Sequence, residues 1–279
     1  MIEAPTPSVS RLTEVIGWRG GAVRTRPDLL AREEPLEVRL AGCSVAVTMR
    51  TPGDDFDLAA GFLFTEGIIR SQADIASLAY CPADDGTQDE NIVNVNCSDP
   101  TLVQPERWRR NFFATSSCGV CGKASIDAIR QDAAPLSPGP SFHPDTLTRL
   151  DAELRRAQAV FEQTGGLHAA GLFDADGGLL LLREDVGRHN AVDKVIGASL
   201  RAGDLPLRDR ILLVSGRSSF EIVQKALMAG IPLVAAVSAP SSLAVDLARE
   251  AGMTLIGFLR GNRFNVYTGK ERILTGGEL

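Results

Sequence analysis

The sequence predicts an α/β protein in which a smaller α+β part, residues 33–114, precedes a larger α/β domain, residues 145–279. Helical and strand-like segments alternate from residue 190 to residue 259, which predicts a partly parallel sheet with helices on both faces. An apolar hairpin pattern at residues 167–183 adds two antiparallel strands. The large sheet is therefore expected to be mixed.

The segments before residue 115 predict short elements joined by turns. Residues 1–32 show no sustained periodicity, so we expect an irregular N-terminal arm. Residues 34–47 alternate between apolar and polar side chains around an Ala-Gly turn, which predicts a β-hairpin. Residues 51–67 begin with a turn signal and continue with an apolar helical face, which predicts a helix. Short strands are expected at residues 92–95 and 111–114.

The segments from residue 115 onward are longer and more regular. Residues 115–144 read as a CxxC loop and a Pro-rich linker, with a short helical segment at residues 124–130. Residues 145–163 carry apolar side chains at helical spacing and end at two glycines, which predicts one helix. The later predicted elements are strands at 167–173 and 178–183, a helix at 190–200, a strand at 211–214, a helix at 219–229, a strand at 232–237, a helix at 243–251 and a strand at 253–259.

Composition excludes several classes of protein. The 279 residues are 44% hydrophobic and 23% charged, which is typical of a globular chain. A net charge of −6 argues against a general nucleic-acid binder, whose surface must be positive. No apolar segment approaches the roughly 18 residues that a membrane span needs. The N-terminus lacks signal-peptide features, so we expect a cytoplasmic protein that binds neither nucleic acid nor membrane.

Two of the five cysteines, Cys118 and Cys121, form a CxxC motif between serine and glycine residues. An odd number of cysteines without a secretory signal argues against a disulfide framework. A following helix and Lys123 would favour the thiolate over the thiol. Such a sulfur can attack another sulfur, carry it as a persulfide or bind a metal. The other three cysteines lack paired spacing and are expected to pack in the interior: Cys43, Cys81 and Cys97.

Several separated motifs occur along the chain. They are EPL at residues 34–36, MRTPGDD at 49–55, GFL at 61–63, EGII at 66–69, SSCGVCGK at 116–123, TGGLH at 164–168, EDVGRHNAVDK at 184–194 and SGR at 215–217. In this order, and over roughly residues 33–268, the chain resembles the formate dehydrogenase accessory sulfurtransferases, the FdhD family. Agreement of several motifs in order is far more specific than a single CxxC.

The resemblance implies a cytidine-deaminase-like three-layer domain with a mixed sheet. It also implies a sulfurtransferase that takes persulfide sulfur from a cysteine desulfurase. The sulfur would pass to the molybdenum cofactor, bis-molybdopterin guanine dinucleotide, bound as a substrate and destined for formate dehydrogenase. The persulfide-carrying cysteine of the family maps onto Cys118, with a supporting or resolving role for Cys121. A homodimer is implied as well. We expect no structural metal, because only two cysteines have metal-site spacing and a closed zinc site needs four ligands.

Three loops that follow predicted strands, at residues 217–219, 238–242 and 260–263, are expected to meet at one edge of the sheet. Together they could present guanidinium groups and backbone N–H groups to phosphates. The cofactor-binding stretch of the FdhD family maps onto residues 258–263, which include the last of these loops. The predicted cofactor-binding residues are Arg217, Ser218, Phe258, Leu259, Arg260, Gly261, Asn262 and Arg263.

Two of the predicted cofactor-binding residues, Ser218 and Phe258, also have simpler structural explanations. Ser218 and Glu221 fit a capping box, which would satisfy a helix start without any ligand. Phe258 could stack on a guanine or pterin ring, but core packing is the ordinary role of a phenylalanine. For each loop alone capping is the simpler explanation, and the grouping of three loops favours phosphate binding.

A second polar group surrounds the predicted start of the helix at residue 190. His189 lies between Asp185 and Asp193 in the sequence, and His168 lies in a hairpin strand. A histidine beside carboxylates can carry protons near neutral pH. It can equally support a loop through hydrogen bonds, and the sequence does not choose between these roles.

Three other functions compete with sulfur transfer as explanations of these motifs. A zinc deaminase needs His-x-Glu followed by Pro-Cys-x-x-Cys, whereas here the cysteine pair precedes His168 and Ser117 occupies the proline position. A thioredoxin-like oxidoreductase would place its CxxC early in a βαβ unit, which the proline-rich segment contradicts. A carrier that only binds the cofactor would need the phosphate-binding loops but not Cys118.

Overall fold

The computed structural model of the chain describes residues 9–82, 88–104, 135–136 and 139–274. The described helices are α1 (Asp55–Thr65), α2 (Pro144–Ala157), α3 (Ala159–Thr164), α4 (Arg188–Ala202), α5 (Phe220–Met228) and α6 (Ser242–Glu250). The described strands are β1 (Ser10–Arg19), β2 (Ala22–Ala31), β3 (Glu34–Leu40), β4 (Cys43–Arg50), β5 (Ile75–Pro82), β6 (Gln88–Cys97), β7 (His168–Phe173), β8 (Leu179–Asp185), β9 (Ile211–Val214), β10 (Leu233–Ala236), β11 (Thr254–Arg260) and β12 (Arg263–Thr268).

The largest sheet has six strands in the order β12-β11-β10-β9-β7-β8. Strands β9, β10 and β11 are parallel, whereas β12, β7 and β8 each pair antiparallel to their neighbours. The prediction of a mixed sheet that follows alternating helices and strands is therefore confirmed.

Both faces of this sheet are covered, as its central strands show. In β9, Leu212 and Val214 join one buried cluster with residues of α4, α5 and α6. Ile211 and Leu213 belong to a second cluster, with the leucines of α2. Successive side chains of a strand point to opposite faces, so β9 separates two apolar layers. The domain thus has helix, sheet and helix layers.

The N-terminal part is a four-stranded sheet in the order β4-β3-β6-β5, joined to the large domain through α1. Leu36, Val38 and Val93 of this sheet share the first buried cluster with α1 and α4. Helices α1 and α4 cross closely at Gly61 and Gly197, where an added Cβ would overlap a backbone carbonyl of the other helix. Only glycine allows backbones to approach this closely.

Over the described residues 9–32 the N-terminal arm is not irregular, and the prediction is wrong for this part of it. Strands β1 and β2 pair antiparallel along ten residues each. Gly20 and Gly21 join them with φ values of 57° and 85°, as a two-residue hairpin turn requires. The Gly-Gly pair at residues 20–21 is the sequence feature that predicts this hairpin turn.

The predicted helix over residues 145–163 is divided in two at Gln158, which has φ −76° and ψ 74°. The Glu184 carboxylate accepts hydrogen bonds from the backbone N–H groups of Val160 and Phe161, at 3.0 and 2.8 Å, and so starts a new helix there. Strands β5 and β12 are additional to the predicted elements. The predicted strand at residues 111–114 and helix at residues 124–130 lie outside the described residues.

Candidate functional site

Cys118 and Cys121, the two predicted catalytic residues, lie outside the described residues. Their predicted roles remain predictions. Most of the loop and linker assigned to residues 115–144 lies outside the described ranges as well. The geometry of the candidate site therefore comes from the second predicted feature, the loops at the sheet edge.

The three predicted loops do meet at one edge of the large sheet, because β9, β10 and β11 run parallel. The backbone N–H of Ser238 donates to Gly216 O at 3.3 Å, and that of Ser241 donates to Ser218 O at 3.0 Å. The N–H of Phe258 in turn donates to Ser238 O at 3.1 Å. A continuous set of backbone hydrogen bonds thus connects the three loops.

The last of these loops is the tip of a β-hairpin between β11 and β12. Arg260 and Arg263 are opposite each other in the pairing, and Gly261 in the turn has φ 56°. Within the described part of the chain, neither arginine forms an ion pair or side-chain hydrogen bond. Like charges directly opposite in a sheet repel, so an anion between these two guanidinium groups would be stabilising.

The side chains of the two residues before Arg260 lie in different environments. Leu259 is fully buried in the second apolar cluster, whereas Phe258 has a 46% exposed side chain. Phe258 also has φ 55°, in the left-handed region, at an irregularity of the β11–β12 pairing. Core packing is thus the wrong role for Phe258. Its exposed ring beside two arginines can stack on a planar ligand.

The capping box predicted from Ser218 and Glu221 is wrong. Helix α5 begins at Phe220, with Ser219 at its N-cap, so Ser218 lies one residue too early. The Ser219 hydroxyl shares a hydrogen bond with His189 Nε2 at 3.2 Å and caps no backbone N–H. Ser218 is fully buried, and its Oγ has no hydrogen-bond partner among the described residues.

Asp185 supports the loop that leads into α4. Its carboxylate accepts hydrogen bonds from the N–H groups of Gly187 and Thr51, at 2.7 and 3.1 Å, and from Asn190 Nδ2 at 2.9 Å. Lys194 Nζ lies 2.8 Å from Asp185 Oδ2, and both side chains are buried. With both carboxylate oxygens engaged, Asp185 holds this loop in place.

The two histidines lie on either side of the loop after β9. His168 begins β7, and its ring lies against Gly216 and Arg188. Burial lowers the pKa of His168, Arg188 lowers it further, and Asp185 opposes both effects. His189 contacts Ser219 and lies 3.9 Å from Glu221 Oε2. Sequence reasoning identified both histidines but not the contact between His189 and Ser219.

No group of three or more potential metal ligands occurs among the described residues. Cys43 and Cys97 pack against the first apolar cluster, which confirms the packing role predicted for them. Cys81 is half-buried and lies beside Arg39. In the ranges that the structure describes, no helix combines the length and the apolar composition that crossing a bilayer requires.

Comparisons with known proteins agree with this architecture. The model of the FdhD/NarQ family matches residues 31–274. The chain is 55% identical over 273 residues to the sulfur carrier protein FdhD of Streptomyces coelicolor, covering 95% of this chain and 97% of that protein. It is 52% identical over 258 residues to the sulfur carrier protein FdhD of Mycobacterium tuberculosis, covering 90% and 94%.

A solved structure gives the same result at the level of the fold. The crystal structure of a putative formate dehydrogenase accessory protein from Desulfotalea psychrophila matches with a TM-score of 0.75 and 27% identity, covering 95% of this chain and 100% of that chain. Because the family model spans most of the sequence and curated relatives share more than half of their residues with it, the chain belongs to the FdhD/NarQ family.

Proposed function

We propose that this chain is a sulfurtransferase of molybdenum cofactor maturation. It accepts persulfide sulfur from a cysteine desulfurase on Cys118 and transfers that sulfur to bis-molybdopterin guanine dinucleotide destined for formate dehydrogenase. The names of its relatives, sulfur carrier protein and putative formate dehydrogenase accessory protein, support this role. We also assign the large domain to the cytidine-deaminase-like fold that the resemblance implies.

One observation of the structure supports the cofactor as the substrate. An exposed phenylalanine and two opposed arginines, Phe258, Arg260 and Arg263, lie at the edge where three loops are hydrogen-bonded together. A guanine dinucleotide has planar rings for stacking and phosphates for guanidinium groups. Arg217, exposed on the neighbouring loop, adds a third guanidinium to the same edge.

The loading of Cys118 with sulfur balances without an external oxidant. The Cys118 thiolate attacks the terminal sulfur of the desulfurase persulfide, and the desulfurase cysteine leaves as a thiolate. Attack by the Cys121 thiolate on the inner sulfur of a Cys118 persulfide would instead release sulfide and leave a Cys118–Cys121 disulfide. A Cys118 persulfide can therefore deliver its sulfur only if this attack by Cys121 is slower than delivery to the cofactor.

Mass spectrometry after incubation with a cysteine desulfurase and cysteine tests the proposal. We expect the chain to gain one sulfur atom, Cys118→Ala to gain none, and Cys121→Ala to keep most of the loading. Cys97→Ala is the matched control, because Cys97 is a partly buried cysteine that packs against the first apolar cluster. Loading of Cys118→Ala at the wild-type rate would refute the residue assignment and the mechanism. Binding of the cofactor without any sulfur adduct would favour the non-catalytic carrier.

We further propose that the homodimer forms through the β1–β2 hairpin. Leu12, Ile16, Trp18 and Val23 lie on one face of this hairpin and are 67%, 75%, 72% and 65% exposed. An isolated two-stranded hairpin is only marginally stable in water, and such an apolar face usually marks an interface. The face carries one charged residue, Glu14, so two copies can meet with little charge burial.

A further inference from the structure

Two buried donors near the sheet edge have no acceptor within the described part of the chain. Arg188 Nε and Ser218 Oγ are both buried, and neither has a hydrogen-bond partner among the described residues. Ser218 is fully buried. Buried polar atoms in folded proteins are nearly always paired, so unpaired donors indicate a missing acceptor. Arg188 begins α4, and Ser218 comes directly before the N-cap of α5.

The N-termini of α4 and α5 lie next to each other at this place. His189 of α4 and Ser219 at the start of α5 share a hydrogen bond of 3.2 Å. Neither helix has a side-chain cap, since Gly187 is the N-cap of α4 and the Ser219 hydroxyl faces His189. The α4 helix has no acidic residue in its first turn. Two helix N-termini with open N–H groups attract negative charge.

The nearby carboxylates lie against other groups of the chain. Asp185 is paired with Lys194 at 2.8 Å and accepts three further hydrogen bonds. Glu221 lies in the first turn of α5, at 3.9 Å from His189 Nε2, whereas α4 has no acidic residue in its first turn. Among the described residues, Arg188 forms no ion pair. Besides burial, its positive charge contributes to the lowered pKa of His168.

Gly216 lies between these groups and keeps the space around them open. A Cβ on Gly216 would lie 3.4 Å from His168 Nδ1 and 3.9 Å from Arg188 Cδ. The loop that contains Gly216 and Ser218 is hydrogen-bonded through Ser238 to Phe258. The loop that carries Ser218 is therefore connected through backbone hydrogen bonds to the edge of the sheet that carries Arg260 and Arg263.

We propose that Arg188, Ser218 and the N-terminus of α5 form a binding site for a phosphoryl oxyanion, with His168 and His189 on its two sides. Arg188 Nε and Ser218 Oγ donate to the oxyanion, and the two helix N-termini stabilise its charge. The oxyanion is either a phosphate of the guanine nucleotide or free inorganic phosphate. The first source rests on the proposed function, whereas the second does not.

The chain has only three histidines, which makes NMR of their imidazoles a direct probe. Inorganic phosphate, GDP and guanosine are added separately to the full chain. We expect phosphate and GDP to shift the signals of His168 and His189. His143, exposed at the start of α2, serves as the internal control. Guanosine, which has no phosphate, should leave His168 unchanged.

Two variants identify the donors. Arg188→Gln should weaken phosphate binding by more than about tenfold, because a charge-assisted donor is lost. Ser218→Ala removes a single buried oxygen with little risk to folding and should weaken binding as well. Arg249→Ala, an exposed arginine of α6 paired with Asp246, is the matched control and should bind phosphate like the wild type.

The outcomes separate this inference from the proposed function. If GDP binds but neither variant changes its affinity and phosphate shifts neither histidine, the oxyanion site is wrong and the proposed function stands. If phosphate binds through Arg188 and Ser218 while GDP and the cofactor do not bind, the site is correct and the proposed function is wrong. An absence of histidine shifts with both phosphate and GDP overturns the inference.

Discussion

Lys225 and Asp193 form an ion pair in the interior, with Lys225 Nζ at 2.9 and 2.8 Å from the two carboxylate oxygens. Thr65 Oγ1 donates to Asp193 Oδ1 at 2.8 Å, so one group of polar atoms joins α1, α4 and α5. Burial opposes the charge on Lys225, but Asp193 and Glu66 outweigh it, and the pKa of Lys225 is raised. Lys225 is therefore charged throughout the neutral range.

Removal of Lys225 alone should be costly. Lys225→Met leaves Asp193 buried without its partner, which should lower the free energy of unfolding by about 3–5 kcal/mol. The double variant Lys225→Met/Asp193→Asn removes both charges and should recover part of that loss. Urea denaturation of the wild type, Lys225→Met, Asp193→Asn and the double variant measures the coupling. Additive effects of the two substitutions would show that the pair is not coupled.

The close crossing of α1 and α4 depends on glycine. A Cβ at Gly197 would overlap the carbonyl of Asp57, so Gly197→Ala must separate the two helices. We expect a loss of about 2 kcal/mol or more in the free energy of unfolding, although alanine is the better helix former. Gly17→Ala is the control, since its nearest neighbour would lie at 3.6 Å. Equal stability of both variants in thermal denaturation would contradict the close crossing.

The large sheet was predictable, whereas the contacts that define the site were less so. Strands β9 and β10 are short apolar segments between turn residues, so each can be recognised from its own residues without knowledge of its partners. The β1–β2 hairpin exposes much of its apolar surface, and its segments lack the regular alternation of a half-buried strand. Ser219 is the N-cap of α5 by its backbone position, and its hydroxyl contacts His189, thirty residues away in sequence. The sequence pattern alone shows neither which of two adjacent serines precedes the helix nor this contact.

His168 should make stability depend on pH. Burial first, and then Arg188, lower the pKa of His168 in the folded protein, with Asp185 opposing them, so the unfolded chain binds the proton more tightly. The free energy of unfolding should therefore fall as the pH drops from about 6.5, the unfolded value, through the lower folded pKa. Urea denaturation of His168→Gln should show a weaker fall over this window. Leu180→Ser, at an exposed site without a titratable side chain, should retain the wild-type slope.

The opposed arginines should carry much of the nucleotide affinity. Arg260→Ala/Arg263→Ala removes both guanidinium groups from the tip of the β11–β12 hairpin. We expect GDP affinity, measured by calorimetry, to fall more than about tenfold, while persulfide loading is unchanged. Arg156→Ala, on the exposed surface of α2, is the control. Unchanged GDP affinity in the double variant would place the nucleotide site elsewhere.

Dimer formation should depend on the exposed face of the β1–β2 hairpin. Trp18 and Val23 are opposite each other in the pairing, and Ile16 lies on the same face. The hairpin is roughly 33 Å long, so its exposed apolar face offers an extended surface to a second copy. Trp18→Ser/Ile16→Ser should raise the dimer dissociation constant by more than about thirtyfold in light scattering, because buried aromatic anchors dominate such interfaces. Leu180→Ser, also at an exposed strand position, should leave the dimer intact. A monomeric wild-type chain, or an unchanged dimer in the double variant, would refute the hairpin interface.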